Sequence, residues 1–562
     1  MTAESSPSEA QTSDAQTSDA HTSDARTSDA QTSNGPSPAA EPVTPRTSRL
    51  IHEAVAQQAA LRPGATAVVG ADLTLTYREL DDRAQEWAAA LTQRGAGPGT
   101  VVPVLLPRSP ELVTALLAVL KCGAAYSALD PRWPEQRLAR LIAATKPPVV
   151  VADGPTAQDG TPWWRPPALD EPLPHSPTHR SAPVSLPRDG TAPAMLFFTS
   201  GTSGVPKGVL SPHRATTRLF IPPGFASFGA GRVMMQAAPA SWDAYGLEVW
   251  SMLTTGGTTV IAEGEYLMPG RLRGLKERHG VDTVWLTASL FNLFVDEDPG
   301  CFTGLTQVIT GGERLSVPHV RVFLAAHPGI VLLNGYGPVE SCVFATTHRV
   351  RAADCDLPTG IPVGTPVPRT QVLVLDGDLP VPPGVTGEIC LAGEGLADGY
   401  LGDADATAAV FTDVPVDGVV TRVYRTGDLG SLDDDGVLHY RGRKDLQVKV
   451  AGHRLEPGDV EAHAREVPGV RDCVAVPLAG PDGTYTGISL FYTADPASEP
   501  VLEPHLLRTA LARRLPAYMV PRRVFRRAAL PYTDRGKPDR AALSAAVAQP
   551  PVTLHAHEGV HQ

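Results

Sequence analysis

The feature that most constrains the fold is the alternation of short apolar runs with amphipathic stretches of helical length. Residues 101–106 predict a buried strand, and Pro110–Lys121 predict a helix directly after it. Similar short apolar runs follow at 284–286, 308–310 and 331–334, each separated from the next by a helical pattern. Strands that alternate with helices are typical of βαβ units, which build mostly parallel sheets. We therefore predict an α/β fold.

The chain has 562 residues, which is too long for one ordinary domain. From 360 to 441 the strands become shorter and are separated by Gly, Pro and Asp turns, which predicts a β-rich subdomain of the large domain. A further block contains two helical patterns, 457–466 and 503–515, and predicts a small α+β domain. Residues 153–193 are rich in proline and polar residues and predict a surface excursion. The expected divisions are a tail at 1–47, a large N-terminal domain at 48–441, a small mobile C-terminal domain at 442–547 and a tail at 548–562.

The first tail contains a five-residue repeat, AQTSD with small variations, over residues 10–34. This repeat has no aromatic residue and no aliphatic side chain larger than alanine. It cannot bury enough apolar surface to offset the entropy lost on ordering, so we expect disorder there.

The large domain is expected to open with helix, strand and helix in turn. Apolar positions within 50–55 predict an amphipathic helix, and residues 67–69 predict a strand. Residues 75–80 predict the opening of the next helix.

Composition narrows the class of protein. The formal net charge of -12 argues against a general nucleic-acid or acidic-membrane binder. The six cysteines contain no CxxC pair, and no apolar run approaches a membrane span. We therefore expect a cytoplasmic protein with neither a zinc ribbon nor a disulfide framework.

Residues 196–209, LFFTSGTSGVPKGV, join the end of a predicted strand to a loop of glycines and hydroxyl residues. Glycines let backbone N–H groups approach a phosphate closely, hydroxyls add donors, and Lys207 adds positive charge. The Walker A spacing is not met. Taken alone, such a loop is usually a solvated connection.

This loop is one of ten motifs that together indicate a function. In chain order they read LTYREL at 75–80, LKCGAAYSALDP at 120–131, the loop itself, WDAYGLEVW at 242–250, NGYGPVE at 334–340, GEICLAGEGLADGYL at 387–401, YRTGDL at 424–429, GRKDLQVKVAGHRLE at 442–456, LPAYMVP at 515–521 and LPYTDRGKPDR at 530–540. Together they resemble the amino-acid adenylation domains of nonribosomal peptide synthetases, within the adenylate-forming superfamily, in a stand-alone form.

The resemblance implies an AMP-forming ligase that uses ATP and Mg²⁺. Taken singly, Asp428 would usually be a turn residue and Lys537 a solvated surface charge, but the ordered set favours function. Lys537 is implied to bridge the substrate carboxylate and the α-phosphate, and Glu340 to help bind Mg²⁺. The implied nucleotide-binding residues are Thr199, Ser200, Gly201, Thr202, Ser203, Lys207, Gly312, Asn334, Tyr336, Asp428 and Arg443.

Asp243 bears on the class of acid. In the amino-acid subfamily an aspartate at this place in the motif pairs with the substrate ammonium, and a buried carboxylate needs such a partner. By resemblance, the side-chain pocket consists of Asp243, Ala244, Leu247, Trp285, Ile309, Gly311, Gly335, Val343, Phe344 and Lys537.

This set is similar to the valine-type pattern, with Leu247 in place of phenylalanine and Val343 in place of threonine. It implies a small branched aliphatic amino acid, valine first, with isoleucine and 2-aminobutyrate as alternatives. One methylene changes selectivity in such a pocket by only about 1–3 kcal/mol, so mixed use is compatible with the pattern.

The resemblance also implies a second half-reaction. Asp445 lies at the hinge position, about which the small domain would rotate to present the Gly452 loop for thioester formation. The expected partner is a peptidyl carrier protein, loaded in trans on its phosphopantetheine thiol. An MbtH-like helper is left open. Val339 departs from the pattern, because it replaces a threonine that would face the nucleotide phosphate.

Two other functions compete with this interpretation. One is an acyl- or aryl-CoA ligase of the same superfamily, which Asp243 disfavours. The other is a non-catalytic adenylation-like protein that binds a carrier, for which Val339 offers the support.

Overall fold

The computed structural model describes residues 49–154, 160–169, 188–199, 206–222, 224–264, 267–480, 484–495, 501–533 and 538–548. A boundary after Arg46 separates the first 46 residues from Thr47–Gln562, and all described residues belong to the second part. The predicted tail at 1–47 and nearly all of the predicted tail at 548–562 lie outside the described residues.

Helices occur throughout the described ranges. They are α1 (Ile51–Leu61), α2 (Tyr77–Thr92), α3 (Pro110–Lys121), α4 (Glu135–Thr145), α5 (His213–Thr217), α6 (Asp243–Thr255), α7 (Pro269–His279), α8 (Ala288–Glu297), α9 (Val317–Ala326), α10 (Ala404–Val410), α11 (Pro457–Arg465), α12 (Pro504–Ala512) and α13 (Arg540–Ala548).

Short strands alternate with these helices and then follow one another directly. They are β1 (Thr66–Val69), β2 (Thr74–Thr76), β3 (Val101–Leu105), β4 (Ala125–Ala128), β5 (Val150–Ala152), β6 (Trp163–Trp164), β7 (Pro193–Thr199), β8 (Lys207–Pro212), β9 (Val233–Gln236), β10 (Thr258–Ile261), β11 (Thr283–Thr287), β12 (Gln307–Gly311), β13 (Val331–Tyr336), β14 (Thr346–Arg349), β15 (Thr365–Pro366), β16 (Thr370–Asp376), β17 (Leu379–Pro380), β18 (Gly387–Gly393), β19 (Gly399–Tyr400), β20 (Phe411–Val416), β21 (Val419–Leu432), β22 (Leu438–Arg443), β23 (Val448–Val450), β24 (His453–Leu455), β25 (Val470–Ala479), β26 (Tyr485–Ala494) and β27 (Arg523–Arg526).

Two mostly parallel sheets form the first part of the fold. One has nine strands in the order β15, β14, β13, β12, β11, β9, β10, β1, β2, and the run from β13 to β1 is parallel. The other has seven strands in the order β19, β8, β7, β4, β3, β5, β6, with β7 to β6 parallel. These sheets confirm the predicted α/β fold.

The β-rich part and the small part each have a sheet of their own. β17, β16, β18, β21 and β20 form an antiparallel sheet, with β22 beside β21. β24, β23, β26 and β25 form the last sheet, with β27 beside β26, and α11 packs on β25. This last sheet has a separate apolar core that includes Leu455, Val460 and Leu490. The predicted β-rich subdomain and smaller C-terminal domain are confirmed.

One local expectation is wrong in its starting residue, and another falls mostly outside the described residues. The pattern at 75–80 predicts the opening of a helix, but Thr74–Thr76 form β2 and the helix begins at Tyr77. Thr76 is the N-cap: its side chain accepts from the Glu79 N–H, and the Glu79 carboxylate accepts from the Thr76 N–H at 2.8 Å. Of the predicted surface excursion at 153–193, residues 155–159 and 170–187 lie outside the described residues. Within the described part, Trp163–Trp164 pair with β5 and extend the sheet by one edge strand.

Helix α6 positions the predicted substrate contact, because its first residue is Asp243. The fully buried Trp250 of this helix donates its indole N–H to the Tyr126 hydroxyl of β4 at 2.9 Å. The helix ends at Gly256, whose φ of 92° is the left-handed conformation that favours glycine. The helix is therefore fixed against the seven-stranded sheet while its N-terminus remains at the edge of the core.

Candidate active site

The predicted phosphate-binding residues at 199–207 run in sequence from the end of one strand to the start of the strand paired with it. Thr199 ends β7 and Lys207 begins β8, and these two residues are opposite each other in the antiparallel register. The Lys207 ammonium lies 5.0 Å from the centre of the Tyr400 ring, as in a cation–π contact. The hydroxyl of Thr199 is buried and has no hydrogen-bond partner among the described residues. Predicted residues Ser200, Gly201, Thr202 and Ser203 lie outside the described residues, as does Lys537.

A second group of predicted residues lines an open cavity of about 1370 Å³, including Gly312, Asn334 and Tyr336 on one side. Asp428 and Arg443 line it from β21 and β22, where they are register partners. The Tyr336 hydroxyl donates to Asp428 Oδ2 at 2.6 Å, and Arg443 Nη1 donates to Asp428 Oδ1. Burial, aided by the Asp428 charge, raises the pKa of Tyr336 well above its usual value, so the phenol remains a hydrogen-bond donor.

Asn334 is oriented by a single contact. Its amide N–H donates to the Pro362 carbonyl at 2.8 Å, and the residue is buried. The amide oxygen is thereby the group that a ligand in the cavity would meet.

The register of the nine-stranded sheet brings together the predicted side-chain pocket. Trp285 of β11 is paired with Ile309 of β12, and Gly311 of β12 with Gly335 of β13. A Cβ on Gly335 would overlap the ring of Phe344, so glycine is what lets this ring lie against the sheet. Members of the predicted pocket that belong to one buried apolar cluster are Ala244, Leu247, Trp285, Ile309, Val343 and Phe344.

Asp243 is bonded across this cluster. Its Oδ2 accepts from the Val343 backbone N–H at 2.8 Å, and loss of hydration raises the pKa of the carboxyl. Among the described residues, no cationic side chain forms an ion pair with it. The charge of Lys449 acts to lower the pKa of this carboxyl, but less than burial raises it. The position at the first turn of α6 also favours a negative charge.

The backbone beside this bond is unusual. Cys342 and Val343 have φ angles of 47° and 64°, a region that β-branched residues rarely adopt. The fully buried Arg218 holds the turn from the other side, donating to the Ser341 and Phe344 carbonyls at 2.8 and 2.7 Å. Sequence reasoning missed Arg218, because nothing in its local sequence distinguishes it from a surface arginine.

Glu340 is fully buried and fully bonded. Arg454 Nη1 lies 2.9 Å from both carboxylate oxygens, and the Tyr400 hydroxyl donates to Oε1 at 2.9 Å. Burial alone would raise the pKa of this carboxyl, but the Arg454 charge and these hydrogen bonds hold it below its usual value. Arg454 belongs to β24, and sequence reasoning did not assign it to the site.

The 442–456 segment contacts the large sheet at further points. The Gly452 N–H donates to Glu313 Oε1 at 2.6 Å, and Gly452 lies against Trp242 and Thr287. His453 stacks on Tyr518 at 3.7 Å and meets the edge of Trp242 at 4.5 Å, while Trp242 contacts Trp285 at 6.2 Å. An aromatic column, Tyr518–His453–Trp242–Trp285, thus leads from the small sheet to the predicted pocket.

Asp445, the predicted hinge residue, is held locally. Arg443 donates to both of its carboxylate oxygens, at 2.7 and 2.8 Å, and the Gln447 N–H donates to Oδ1 at 3.1 Å. The salt bridge from Arg443 therefore links the predicted hinge to Asp428 in the cavity.

Comparison with known proteins gives consistent matches. The family model described as AMP-binding enzyme matches residues 55–401. The chain is 37% identical over 502 residues to malpibaldin synthetase of Mortierella alpina, covering 88% of this chain and 9% of that protein. It is 33% identical over 500 residues to bacitracin synthase 1 of Bacillus licheniformis, covering 88% and 9%. The chain therefore spans less than a tenth of the length of either curated relative.

Among solved structures, the chain is similar to PA1221, a nonribosomal peptide synthetase protein containing adenylation and PCP domains. The holo form bound to a vinylsulfonamide inhibitor matches with a TM-score of 0.78 and 36% identity, covering 88% of this chain and 84% of that one. Within the described ranges, no helix is long and apolar enough to cross a membrane.

Proposed function

We propose an amino-acid-activating function from one premise: this chain belongs to the AMP-binding enzyme family and is similar to the adenylation domains of nonribosomal peptide synthetases. It is an ATP-dependent, AMP-forming ligase. The proposed substrate is a small branched aliphatic amino acid, valine first, with isoleucine and 2-aminobutyrate as alternatives.

The observation that carries the proposal is the Asp243 carboxylate, which has no ion-pair partner among the described residues and lies beside an apolar cluster. A carboxylate that has lost hydration is stabilised by a cation, and the ammonium of an amino acid supplies one. The neighbouring pocket residues are apolar, which suits an aliphatic side chain. A fatty or aryl acid would leave the carboxylate without an ion-pair partner, which disfavours the acyl- and aryl-CoA ligase alternative.

The proposed first half-reaction joins a carboxylate oxygen of the amino acid to the α-phosphorus of ATP. The bond from that phosphorus to the leaving pyrophosphate breaks, which gives aminoacyl-AMP and pyrophosphate. Both reactants are anionic, so positioning and positive charge supply the catalysis. We assign Lys537 to the bridge between the substrate carboxylate and the α-phosphate.

The proposed nucleotide contacts come from the family resemblance, and the cavity that these residues line supports them. Asp428 would accept from the ribose hydroxyls, Tyr336 would stack on adenine, and the Asn334 amide oxygen would accept from its amino group. The Thr199 hydroxyl, which lacks a partner among the described residues, suits a phosphate oxygen. The β- and γ-phosphates are assigned to Thr199, Ser200, Gly201, Thr202, Ser203 and Lys207.

Magnesium fits the donor chemistry of Glu340. Mg²⁺ prefers oxygen ligands and is commonly held by one or two carboxylates together with phosphates and water. Among the described residues, no group of three or more His, Cys, Asp or Glu could hold a metal ion, so the ion would rely on phosphate and water oxygens beside Glu340. When bound, the ion would offset charge on the phosphates, and Glu340 would hold it in place of Arg454.

In the proposed second half-reaction, a phosphopantetheine thiol attacks the aminoacyl carbonyl carbon, and AMP leaves. The thiol's proton is lost to water, and the product is an aminoacyl thioester on a peptidyl carrier protein supplied in trans. The contact of Gly452 with Trp242 supports a role for the 442–456 segment in this transfer. A cytoplasmic location belongs to the same proposal, whereas the need for an MbtH-like helper stays open.

Amino-acid-dependent ATP–pyrophosphate exchange tests the first half-reaction. Across a panel of amino, fatty and aryl acids, we expect exchange with valine and its neighbours, and its loss in Lys537→Ala. A matched control is Lys276→Ala, because Lys276 bonds the Cys301 and Thr303 carbonyls outside the proposed site. Exchange driven only by fatty or aryl acids, or by no acid at all, would refute the proposal.

A further inference from the structure

A loop that contains Phe225 and Phe228 packs against the predicted side-chain pocket. Phe225 and Phe228 belong to the segment between Phe220 and β9, and neither is among the pocket residues that the sequence indicates. Both are partly buried and pack against the apolar cluster that contains Ile309 and Phe344. Their position therefore bears on the shape of the pocket.

Phe225 meets Phe344 edge to face. Their ring centres are 5.7 Å apart and the ring planes are inclined at 83°, the geometry that aromatic pairs prefer. Phe228 contacts Phe225 in the same manner at 5.7 Å and contacts Phe220 at 5.5 Å. The Phe344 ring is thus held between Gly335 on one side and Phe225 on another.

A buried glutamine fixes the loop to the pocket strand. Gln307 begins β12 and exchanges two hydrogen bonds with the Ser227 backbone: its Oε1 accepts from N–H at 3.0 Å, and its Nε2 donates to C=O at 2.7 Å. The same Nε2 lies 3.0 Å from Thr283 Oγ1 on β11. The loop is therefore attached to the two strands that carry Trp285 and Ile309.

From these contacts we propose that Phe225 is a positioning residue for substrate selection. It prevents the Phe344 ring from moving away from Gly335, and so limits the length of the side chain that the pocket admits. This inference rests on the proposed function. Close packing supports this role of Phe225, because interiors of native density have no free volume into which the Phe344 ring could retreat.

Smaller residues at position 225 should open the pocket. In Phe225→Leu and Phe225→Ala, we expect kcat/KM for valine to fall and kcat/KM for leucine and phenylalanine to rise. The leucine-to-valine ratio should shift by about tenfold or more, since one methylene in an apolar pocket is worth roughly 10–200-fold. The change should appear mainly in the amino-acid KM, with the ATP KM unaltered.

The control is Phe302→Leu, measured by the same exchange assay together with the thermal midpoint. Phe302 is a fully buried ring in the second apolar cluster, with Phe291, Phe294 and Phe323 around it. It should lower the thermal midpoint without altering the leucine-to-valine ratio. Should Phe225→Ala not fold, Phe225→Leu, the milder substitution, carries the same comparison.

The outcomes distinguish the role of Phe225 from the proposed function. An active wild-type enzyme whose ratio is unchanged in the Phe225 variants, or changed equally by Phe302→Leu, would overturn the role of Phe225 alone. A wild-type enzyme that exchanges with no amino acid would overturn the proposed function and this inference with it. A ratio shifted only by the Phe225 variants supports both.

Discussion

Asp243 stands at the first turn of α6, with one carboxylate oxygen bonded to the Val343 N–H and with no ion pair among the described residues. Replacing it tests the proposed ammonium contact most directly. We expect Asp243→Asn to raise the amino-acid KM roughly 100-fold, since truncating one partner of a bonded charge pair costs about 2–5 kcal/mol. The ATP KM should not change, because Asp243 is not among the residues that line the cavity of Asp428, the proposed ribose contact.

The pH dependence of this contact follows from the raised pKa of Asp243. The ammonium binds the ionised carboxylate, so protonation competes with the substrate. As the pH falls, the wild-type amino-acid KM should begin to rise at a higher pH than an ordinary aspartate would give. In Asp243→Asn this rise should be absent, and a rise of equal size in the variant would assign it to another group.

At the scale of elements, α1 is docked through two neutral histidines. The Ile51 N–H of α1 donates to His213 Nδ1 at 3.2 Å, and the His52 and His213 rings are 5.4 Å apart. Burial, assisted by the Lys121 charge, lowers the pKa of His52 to about 4, and burial lowers the pKa of His213 well below its usual value. The docked helix therefore depends on both rings being uncharged.

The lowered pKa of His52 predicts that the folded protein becomes less stable as the pH falls. The folded-state pKa of His52 lies below the unfolded value of 6.5, so its stabilisation is present above pH 6.5 and is lost as the pH falls towards 4. Between pH 7 and pH 5 the loss from His52 is about 2 kcal/mol. Urea unfolding of His52→Gln should show a correspondingly shallower pH dependence. His279→Gln, at the partly exposed end of α7, should keep the wild-type slope.

Strands and helices are the level at which the sequence is most informative. Apolar runs at 284–286, 308–310 and 331–334 identify strands because each is short and has clear breakers on both sides. The order of the strands in the sheet is not predictable from the sequence. For example, β9 lies between β10 and β11, and no local pattern encodes the crossover connections that place it there. The predicted start of α2 is two residues early, because the sequence around the capping box of Thr76 and Glu79 also fits a helical pattern.

Site residues that lie within motifs can be proposed from the sequence, whereas their supports cannot. Arg218, Arg454 and Phe225 act on residues about 120 positions away in sequence. Arg454 lies within the motif at 442–456, but no local pattern identifies the distant partner of any of the three. Hydrogen bonds from a buried arginine to carbonyls, or from one sheet to another, exist only once the chain has folded.

At the scale of the whole molecule, the Arg454–Glu340 pair joins the last sheet to the predicted active site. Glu340 is fully buried, so removing its partner would leave an uncompensated charge, a change that costs about 3–5 kcal/mol. The hinge rotation implied by the family resemblance would break this pair. The pair therefore stabilises the arrangement described here relative to one in which Arg454 has moved away from Glu340.

We predict that Arg454→Gln separates the two half-reactions. The transfer of the aminoacyl group to a holo-carrier should slow by roughly 100-fold or more, as expected from a loss of about 3 kcal/mol, while ATP–pyrophosphate exchange retains most of its rate. Arg465→Gln is the control, since Arg465 is half exposed and pairs with Glu461 of α11. Equal loss of both half-reactions in Arg454→Gln would mean that the pair serves folding alone.

The aromatic column determines how the contact between the last sheet and the predicted pocket responds to pH. Burial lowers the pKa of His453 to about 3, so the ring between Tyr518 and Trp242 stays neutral throughout the range of acidity in which cells live. His453 therefore keeps its stacking and edge contacts without a change of charge across that range. A response of this junction to acid would have to begin at another side chain.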